Sequence, residues 1–270
     1  MQGLLVMLFF VVCLGSTMAA PSADLWPKWQ KSSEQNRQTL DHSRWAEILD
    51  TYLVSNHPSG INRFRYGDVS GKDRQLLQEY LADVQNVTVT SLNRGEQKAY
   101  WINLYNALTV EVILDHYPVK SIMDIDISPG FFSQGPWGAK LFTIEDEKLS
   151  LNDIEHRILR PIFTDNRVHY ALNCASLGCP NLQASPFTAT NMEQMLDAGA
   201  RAYINHSRGV QIGTGKIQLS SIYKWFKSDF GGTDVGVTDH LLRFADNDLA
   251  KTLKGEKKKF SYSYNWDLNE

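Results

Sequence analysis

The stretch 167–180 (RVHYALNCASLGCP) gathers the most reactive side chains of this chain into fourteen residues. It holds one histidine, two cysteines, a serine and a turn that contains glycine. A cysteine reacts as its thiolate, and a nearby histidine can lower the thiol pKa or act as a base. We therefore expect a site built on His169 and Cys174, with Ser176 beside them. Backbone N–H groups of the turn 176–179 would stabilise an oxyanion.

The residue pair Cys174 and Cys179 admits three interpretations. The two cysteines stand five residues apart across a loop, so a disulfide can close that loop. In the second interpretation the pair supplies a functional free thiol. In the third, both cysteines are inert buried thiols. The Cys-x4-Cys spacing also falls within the range of zinc ligands, with His156 and His169 nearby, but these histidines precede the cysteines. We expect no metal ion and no cofactor.

Three further sets of polar side chains lie on apolar helix faces. Glu155 falls within the apolar stripe of its helix, so it is either a member of an ion pair or a site residue. Asn103 and Asn106 share one face of a buried helix and either bridge to loop backbone or orient His169 or a substrate amide. Asp229 lies on the stripe of a later helix and is a weaker candidate of the same kind.

Composition and charge limit the class of protein. The chain has 270 residues, 43% of them hydrophobic, and a formal net charge of −3. These values do not indicate a nucleic-acid-binding protein or a disordered chain. Residues 1–19 contain no charged side chain and predict a signal peptide, so we expect a secreted protein with no stable membrane span after cleavage. Asn86 and Asn205 begin Asn-X-Ser/Thr sequences and become candidate glycosylation sites.

Hydrophobic periodicity predicts the elements that position these residues. Helices are expected over 40–52, 73–84, 95–117, 150–160, 191–205, 221–230 and 238–250, with Pro161 ending the fourth. Strands are expected over 140–144 and 168–173, and a hairpin over 209–219. The helix 95–117 is apolar nearly all round, which is typical of a central buried helix. The predicted fold is a mostly helical α+β domain with a small, mainly antiparallel sheet. Its boundaries are 39–250, between a polar arm over 20–38 and a C-terminal tail over 251–270.

Four motifs resemble those of the family known as domain of unknown function 547. They are YWINLYNA (100–107), LSLNDIEHRILR (149–160), VHYALNCASLGCP (168–180) and LSSIYKWFKSDF (219–230). The resemblance covers about 92–230. The family's motif residues would correspond here to Asn103, Asn106, Glu155, His169, Cys174, Cys179 and Asp229. A fainter likeness to papain-like and transglutaminase-like folds implies a cysteine nucleophile and a later histidine, although the buried helix carries Asn103 where such enzymes have cysteine.

Two functions of different classes follow. The first is a thiol-dependent hydrolase or acyl transferase, with Cys174 as nucleophile, His169 as base and Glu155 orienting the histidine. The second is a non-catalytic extracellular binding module in which a Cys174–Cys179 disulfide holds a recognition loop and the aromatic residues of 131–137 contact a partner. That partner is an unidentified small molecule, peptide or protein and not a nucleic acid. The residues alone do not decide whether the protein is an enzyme.

Overall fold

Helices supply most of the regular structure. The computed structural model describes residues 21–130, 133–255 and 259–270, so the predicted signal peptide lies outside the described residues. The helices are α1 (Ser43–Tyr52), α2 (Gly71–Gln85), α3 (Arg94–His116), α4 (Arg160–Phe163), α5 (Met192–Ile204), α6 (Ile222–Trp225), α7 (Asp234–Phe244) and α8 (Asn247–Leu253). The strands are β1 (Leu53–Val54), β2 (Arg63–Phe64), β3 (Phe142–Ile144), β4 (Glu147–Leu149), β5 (Val210–Gly213), β6 (Lys216–Ser220) and β7 (Lys259–Ser263). The mostly helical α+β fold is confirmed.

Helix α3 runs through the centre of the main hydrophobic core. The side chain of Asn93 accepts a hydrogen bond from Glu96 N–H (3.0 Å) and caps the first turn. Nearly every residue from Glu96 to Val110 is buried, which confirms the predicted buried helix. Its residues are not aligned in one stripe because other elements surround it on all sides. No helix among the described residues is both long enough and apolar enough to cross a membrane.

The polar arm predicted over 20–38 is partly packed on this core. A 3-10 turn, Pro27–Gln30, buries Trp29 against Trp101, with ring centroids 5.1 Å apart and the ring planes at 79°. Edge-to-face contact of this kind stabilises an aromatic pair beyond its buried area. The arm therefore forms one wall of the core on the N-terminal side of α3.

The small sheets are antiparallel except at one strand pair. Strands β1 and β2 form one antiparallel pair and β3 and β4 another, while β5 and β6 form the predicted hairpin. Strand β7 then adds to β6 in parallel, with Ile217 opposite Phe260. The region predicted as a C-terminal tail thus completes a three-stranded sheet. Hydrophobic periodicity did not predict strand β7, because an edge strand of five residues is too short to show a clear alternation of apolar and polar residues.

The prediction of a strand over 168–173 is wrong. A 3-10 helix, Asn166–Tyr170, occupies this segment, and the side chain of Asp165 caps it by accepting from Arg167 N–H (3.0 Å). The apparent alternation is misleading because Val168, His169 and Tyr170 are all buried. Their backbone groups are satisfied within the turn, so the segment needs no partner strand.

Pro161 does not end the preceding helix. Ser150 and Asp153 form a reciprocal cap at its start, since each backbone N–H donates to the other side chain. A π-helical stretch, Asp153–Leu159, follows and continues directly into α4. Pro161 lies in the first turn of α4, where its missing N–H is tolerated.

Two later helices differ from their predicted ranges. In the range 221–230 only the short α6 is α-helical at the start, and the range 238–250 is divided between α7 and α8.

Asn103 and Asn106 tie helix α3 to two loops through the backbone. The Asn103 amide donates to Phe187 O (2.7 Å) and accepts from Phe187 N–H (2.9 Å). Asn106 donates to Ala171 O (2.9 Å) and accepts from Asn173 N–H (2.9 Å). Both amides therefore replace the hydrogen bonds that a neighbouring strand would supply, and Asn106 fixes the segment that carries His169.

We expect Asn106→Ala to destabilise the fold by roughly 2–4 kcal/mol, because it leaves two buried backbone groups without partners. Urea unfolding followed by circular dichroism measures this change. The control is Asn86→Ala, which alters an exposed asparagine at the end of α2 and should cost much less. Equal losses in the two variants would contradict this role of Asn106.

Candidate active site

A cavity of about 360 Å³ brings four of the predicted site residues together. Glu155, His169, Cys174 and Cys179 line it, whereas Asn103, Asn106, Ser176 and Asp229 are not among its lining residues. Much of the remaining surface is aromatic: Tyr105, Trp137, Trp225, Phe226, Tyr264 and Trp266. A concave, largely apolar site with a few converging polar groups is the usual form of a small-molecule site.

A buried ion pair holds the polar wall of this cavity. Arg160 donates to Asp229 twice, from Nε to Oδ2 (2.6 Å) and from Nη2 to Oδ1 (3.0 Å). The same Oδ2 accepts from His169 Nε2 at 2.8 Å. Burial raises the pKa of the Asp229 carboxyl, but the hydrogen bonds from His169 and Arg160 outweigh it and hold that pKa well below its usual range. Asp229 is therefore the negative centre that links two cationic side chains.

His169 lies between two carboxylates. Its Nδ1 is 3.7 Å from Glu155 Oε1, while Nε2 donates to Asp229. Burial lowers the pKa of His169, but the hydrogen bonds and charges of the two carboxylates outweigh burial and raise it above its usual value. Phe226 stacks on the ring at 4.2 Å and fixes its plane. The arrangement favours an imidazolium whose Nδ1–H points towards Glu155 and the cavity.

Glu155 stays ionised although it is buried. Burial raises the pKa of its carboxyl, but the positive charges of His169 and Arg160 oppose burial, and the pKa lies below its usual value. Tyr105 on α3 donates to Glu155 Oε2 at 3.4 Å. Glu155 is thus a member of an ion-pair network and also lines the cavity.

His156 is a cavity residue that the sequence analysis did not select. It is 5% exposed, and its Nδ1 accepts a hydrogen bond from Arg160 Nη1 (3.1 Å). Burial lowers the pKa of His156 and the Arg160 charge adds to that effect, although Glu155 opposes it. The ring is therefore neutral with its proton on Nε2, an atom that has no hydrogen-bond acceptor among the described residues. The spacing of four residues between His156 and Arg160 was the sequence feature that indicated this hydrogen bond.

Cys174 presents its sulfur to two hydroxyl groups. Tyr264 Oη is 3.0 Å and Ser176 Oγ 3.3 Å from Cys174 Sγ. The contacts with Cys179, Ser176 and Tyr264 lower the pKa of Cys174 despite burial. No hydrogen bond joins Cys174 to His169 in the described part of the chain, although both line the cavity.

The two cysteines are free thiols in this structure, not the disulfide considered from the sequence. The N–H of Cys174 donates to Cys179 Sγ at 2.9 Å, and Cys179 is 3% exposed. Burial and the neighbouring Cys174 sulfur raise the pKa of the Cys179 thiol well above its usual value. Of the two thiols, Cys174 is therefore the one that loses its proton more readily and Cys179 the one that keeps it.

Three of the four N–H groups that were predicted to stabilise an oxyanion in the turn 176–179 are engaged within the fold. Leu177 N–H donates to Asp267 O (2.8 Å), Gly178 N–H to Asn265 O (2.8 Å) and Cys179 N–H to Ser176 O (3.1 Å). These three groups have no free hydrogen to offer a ligand. Two of the acceptors belong to residues after β7, a segment whose role periodicity could not reveal.

The C-terminal segment and one loop supply cavity residues that sequence reasoning did not connect with the cysteines. Tyr264 and Trp266 follow β7, and Trp137 belongs to the predicted aromatic recognition loop. Phe131 and Phe132 of that loop lie outside the described residues. Among the described residues no group of three or more histidine, cysteine and carboxylate side chains is arranged to hold a metal ion.

We expect Asp229→Asn to lower the pKa of His169, because it removes one of the two carboxylates that favour the imidazolium. In the native protein, ring ¹⁵N NMR should show His169 titrating above the usual value of about 6.5. Because the pKa of His169 is higher in the folded than in the unfolded protein, its protonation stabilises the fold below about pH 6.5. This stabilisation is lost as the pH rises through the pKa of His169 in the folded protein. Asp234→Asn, which changes an exposed carboxylate paired with Lys227, is the control. An unchanged His169 titration in Asp229→Asn would refute the assignment.

Comparison with known proteins gives one result. Residues 89–204 match the model of the family described as "Protein of unknown function, DUF547". Neither the curated proteins nor the solved structures yield a match. The matched segment includes Glu155, His169 and both cysteines of the cavity, and ends before Asp229 and Tyr264. The chain therefore resembles the DUF547 family over the part that carries most of the cavity's reactive side chains.

Proposed function

We propose that the cavity is the active site of a thiol-dependent acyl-transfer enzyme, a hydrolase or an acyl transferase, with Cys174 as its nucleophile. One observation carries the proposal: a cysteine with a lowered pKa and two hydroxyl neighbours opens into a cavity that a charged histidine also lines. Perturbed titratable groups that converge on a cavity are typical of catalytic sites.

The acylation step uses both partners in their charged forms. The Cys174 thiolate attacks the carbonyl carbon and forms an S–C bond, while the carbonyl electron pair moves to oxygen. When the tetrahedral intermediate collapses, the bond to the leaving group breaks and His169 Nδ1–H protonates that group. His156 offers its Nε2–H to the oxyanion, since its Nδ1 is engaged by Arg160.

The second step returns the enzyme to its starting state. A water molecule or another acceptor attacks the thioester carbonyl, and the now neutral Nδ1 of His169 takes its proton. The S–C bond breaks and releases the Cys174 thiolate. Asp229, held by Arg160, keeps the His169 ring in place throughout. His169 is thus an acid first and a base second, which refines the role expected from the sequence.

The lining favours an uncharged, largely apolar acyl compound. The charges of Glu155, His169, Asp229 and Arg160 cancel within the wall, so the wall has no net charge to bind an ion. No lysine or arginine is among the described residues that line the cavity. A substrate carboxylate or phosphate would therefore find no lysine or arginine to bind it, whereas the tryptophan side chains offer flat apolar contact.

We expect p-nitrophenyl acetate, an uncharged aromatic ester, to transfer its acetyl group to Cys174. Intact-mass and peptide mass spectrometry detect the adduct, and absorbance follows the released phenol. Cys174→Ala abolishes the adduct because the attacking sulfur is gone. His169→Gln should slow release of the acetyl group by roughly 10²–10⁴-fold, because water loses its base.

Cys179→Ala is the control for the position of the adduct and should still be acetylated at Cys174. A folded protein that forms no adduct at Cys174 refutes the proposed enzyme. Retained binding of an aromatic ester without transfer would then support the non-catalytic binding module.

We further propose that the chain is exported and that a glycosylating cell modifies Asn86 and not Asn205. The uncharged segment 1–19 supports export. Both amide hydrogens of Asn205 are used, by Arg201 O (2.9 Å) and Phe244 O (2.9 Å), so a glycan there would remove a hydrogen bond. The Asn86 amide donates only to Ala82 O (3.0 Å) and is exposed.

We expect Thr88→Ala to abolish the glycan mass of the secreted protein, and Ser207→Ala to leave it unchanged. Both variants destroy an acceptor sequence without altering the asparagine itself. Mass spectrometry before and after glycosidase treatment of protein secreted from a eukaryotic cell line measures the outcome. A glycan on Asn205 in the folded protein would contradict this assignment.

A further inference from the structure

The segment after β7 is fixed to the fold immediately before it reaches the cavity. Strand β7 pairs with β6 as far as Ser263, opposite Ser220. Ser221 N–H then donates to Ser263 O at 2.9 Å. The position of Tyr264, the next residue, is therefore set by the sheet.

The same segment then crosses the cysteine loop by backbone hydrogen bonds. Gly178 N–H donates to Asn265 O (2.8 Å) and Asn269 N–H to Ala175 O (3.1 Å). A Cβ on Gly178 would lie 2.8 Å from both the N and the O of Asn265, so only glycine allows this approach. The loop that carries Cys174 and the segment that carries Tyr264 are thus joined as one unit.

Aromatic neighbours fix the Tyr264 ring. Its centroid lies 4.9 Å from that of Trp225 and 4.6 Å from that of Trp266. In this position the hydroxyl oxygen is 3.0 Å from Cys174 Sγ and accepts from Ser176 Oγ at 3.2 Å. Because Ser176 donates to the tyrosine oxygen, the tyrosine proton is directed to the sulfur.

We infer that Tyr264, alongside Cys179, stabilises the Cys174 thiolate, as the last donor in a chain from Ser176 through Tyr264 to the sulfur. A half-buried thiolate needs hydrogen-bond donors to replace water. Each bond in such a chain strengthens the next. The use of this thiolate in catalysis rests on the proposed function, but its stabilisation by Tyr264 does not.

The charge state of Tyr264 suits this role. Burial and the neighbouring cysteine sulfurs raise the pKa of Tyr264 well above its usual value. The phenol therefore keeps its proton at a pH where the thiol has lost its own. Hydrogen bonds from neutral donors to an ionised acceptor are stronger than those between neutral groups, so the contact favours the thiolate over the thiol.

The test is the pH dependence of Cys174 alkylation by iodoacetamide in the full chain, read from the mass of the Cys174 peptide. The native protein should show an inflection below about 8.5, the usual thiol value. Tyr264→Phe should raise the inflection by about one pH unit, which lowers the thiolate fraction near neutral pH about tenfold. Tyr262→Phe is the matched control, because Tyr262 on β7 is half-buried and makes no side-chain hydrogen bond among the described residues.

A variant that keeps the tyrosine contact avoids any loss of folding. Replacing Tyr264 by 3-fluorotyrosine makes the phenol a stronger donor at nearly the same size, so the inflection should fall. A folded Tyr264→Phe with the native inflection, or a fluorotyrosine protein with no shift, overturns the inference. A shifted inflection without any acetyl adduct on Cys174 would refute the proposed enzyme while leaving the role of Tyr264 intact.

Discussion

The bidentate bond between Arg160 and Asp229 is the interaction on which the polar wall of the cavity depends. Removing Asp229 would leave the buried Arg160 guanidinium without this partner, which costs far more than the pair itself contributes. The π-helical stretch makes this pairing reachable. Arg160 N–H bonds to Glu155 O, five residues back, so the wider turn brings Glu155, His156 and Arg160 to one side of the helix. An ordinary α-helical turn would rotate one of them away.

The cavity lies where two hydrophobic cores meet. The larger core surrounds α3 and includes Tyr105 and Leu172, while the smaller one includes Tyr170 and Ile222. The segment that carries His169 crosses from one core to the other. Tyr170 is buried in the smaller core, and the next two residues, Ala171 and Leu172, are buried in the larger one. The site is therefore rigid because its backbone is anchored on both sides.

Much of the fold and part of the site could be predicted from the sequence. Helix α3, the β5–β6 hairpin and the Ser150–Asp153 cap follow from local pattern, and Glu155, His169 and Cys174 share the cavity. The remainder depends on distant contacts. Nothing near Cys174 in sequence indicates that Tyr264, ninety residues later, touches its sulfur. The alternation of side chains over 168–173 predicted a strand, because a sequence pattern does not show that the side chains assigned to its two faces are all buried.

The dependence of the cysteine loop on the segment after β7 has a consequence for the order of events during synthesis. Ribosomes deliver the cysteines long before Tyr264, and contacts between distant parts of a chain form late in folding. Until that segment arrives, the loop lacks the acceptors for Leu177 and Gly178, and the sulfur lacks its tyrosine donor. A nascent chain therefore carries Cys174 without its tyrosine neighbour, and that contact forms only once the segment is in place.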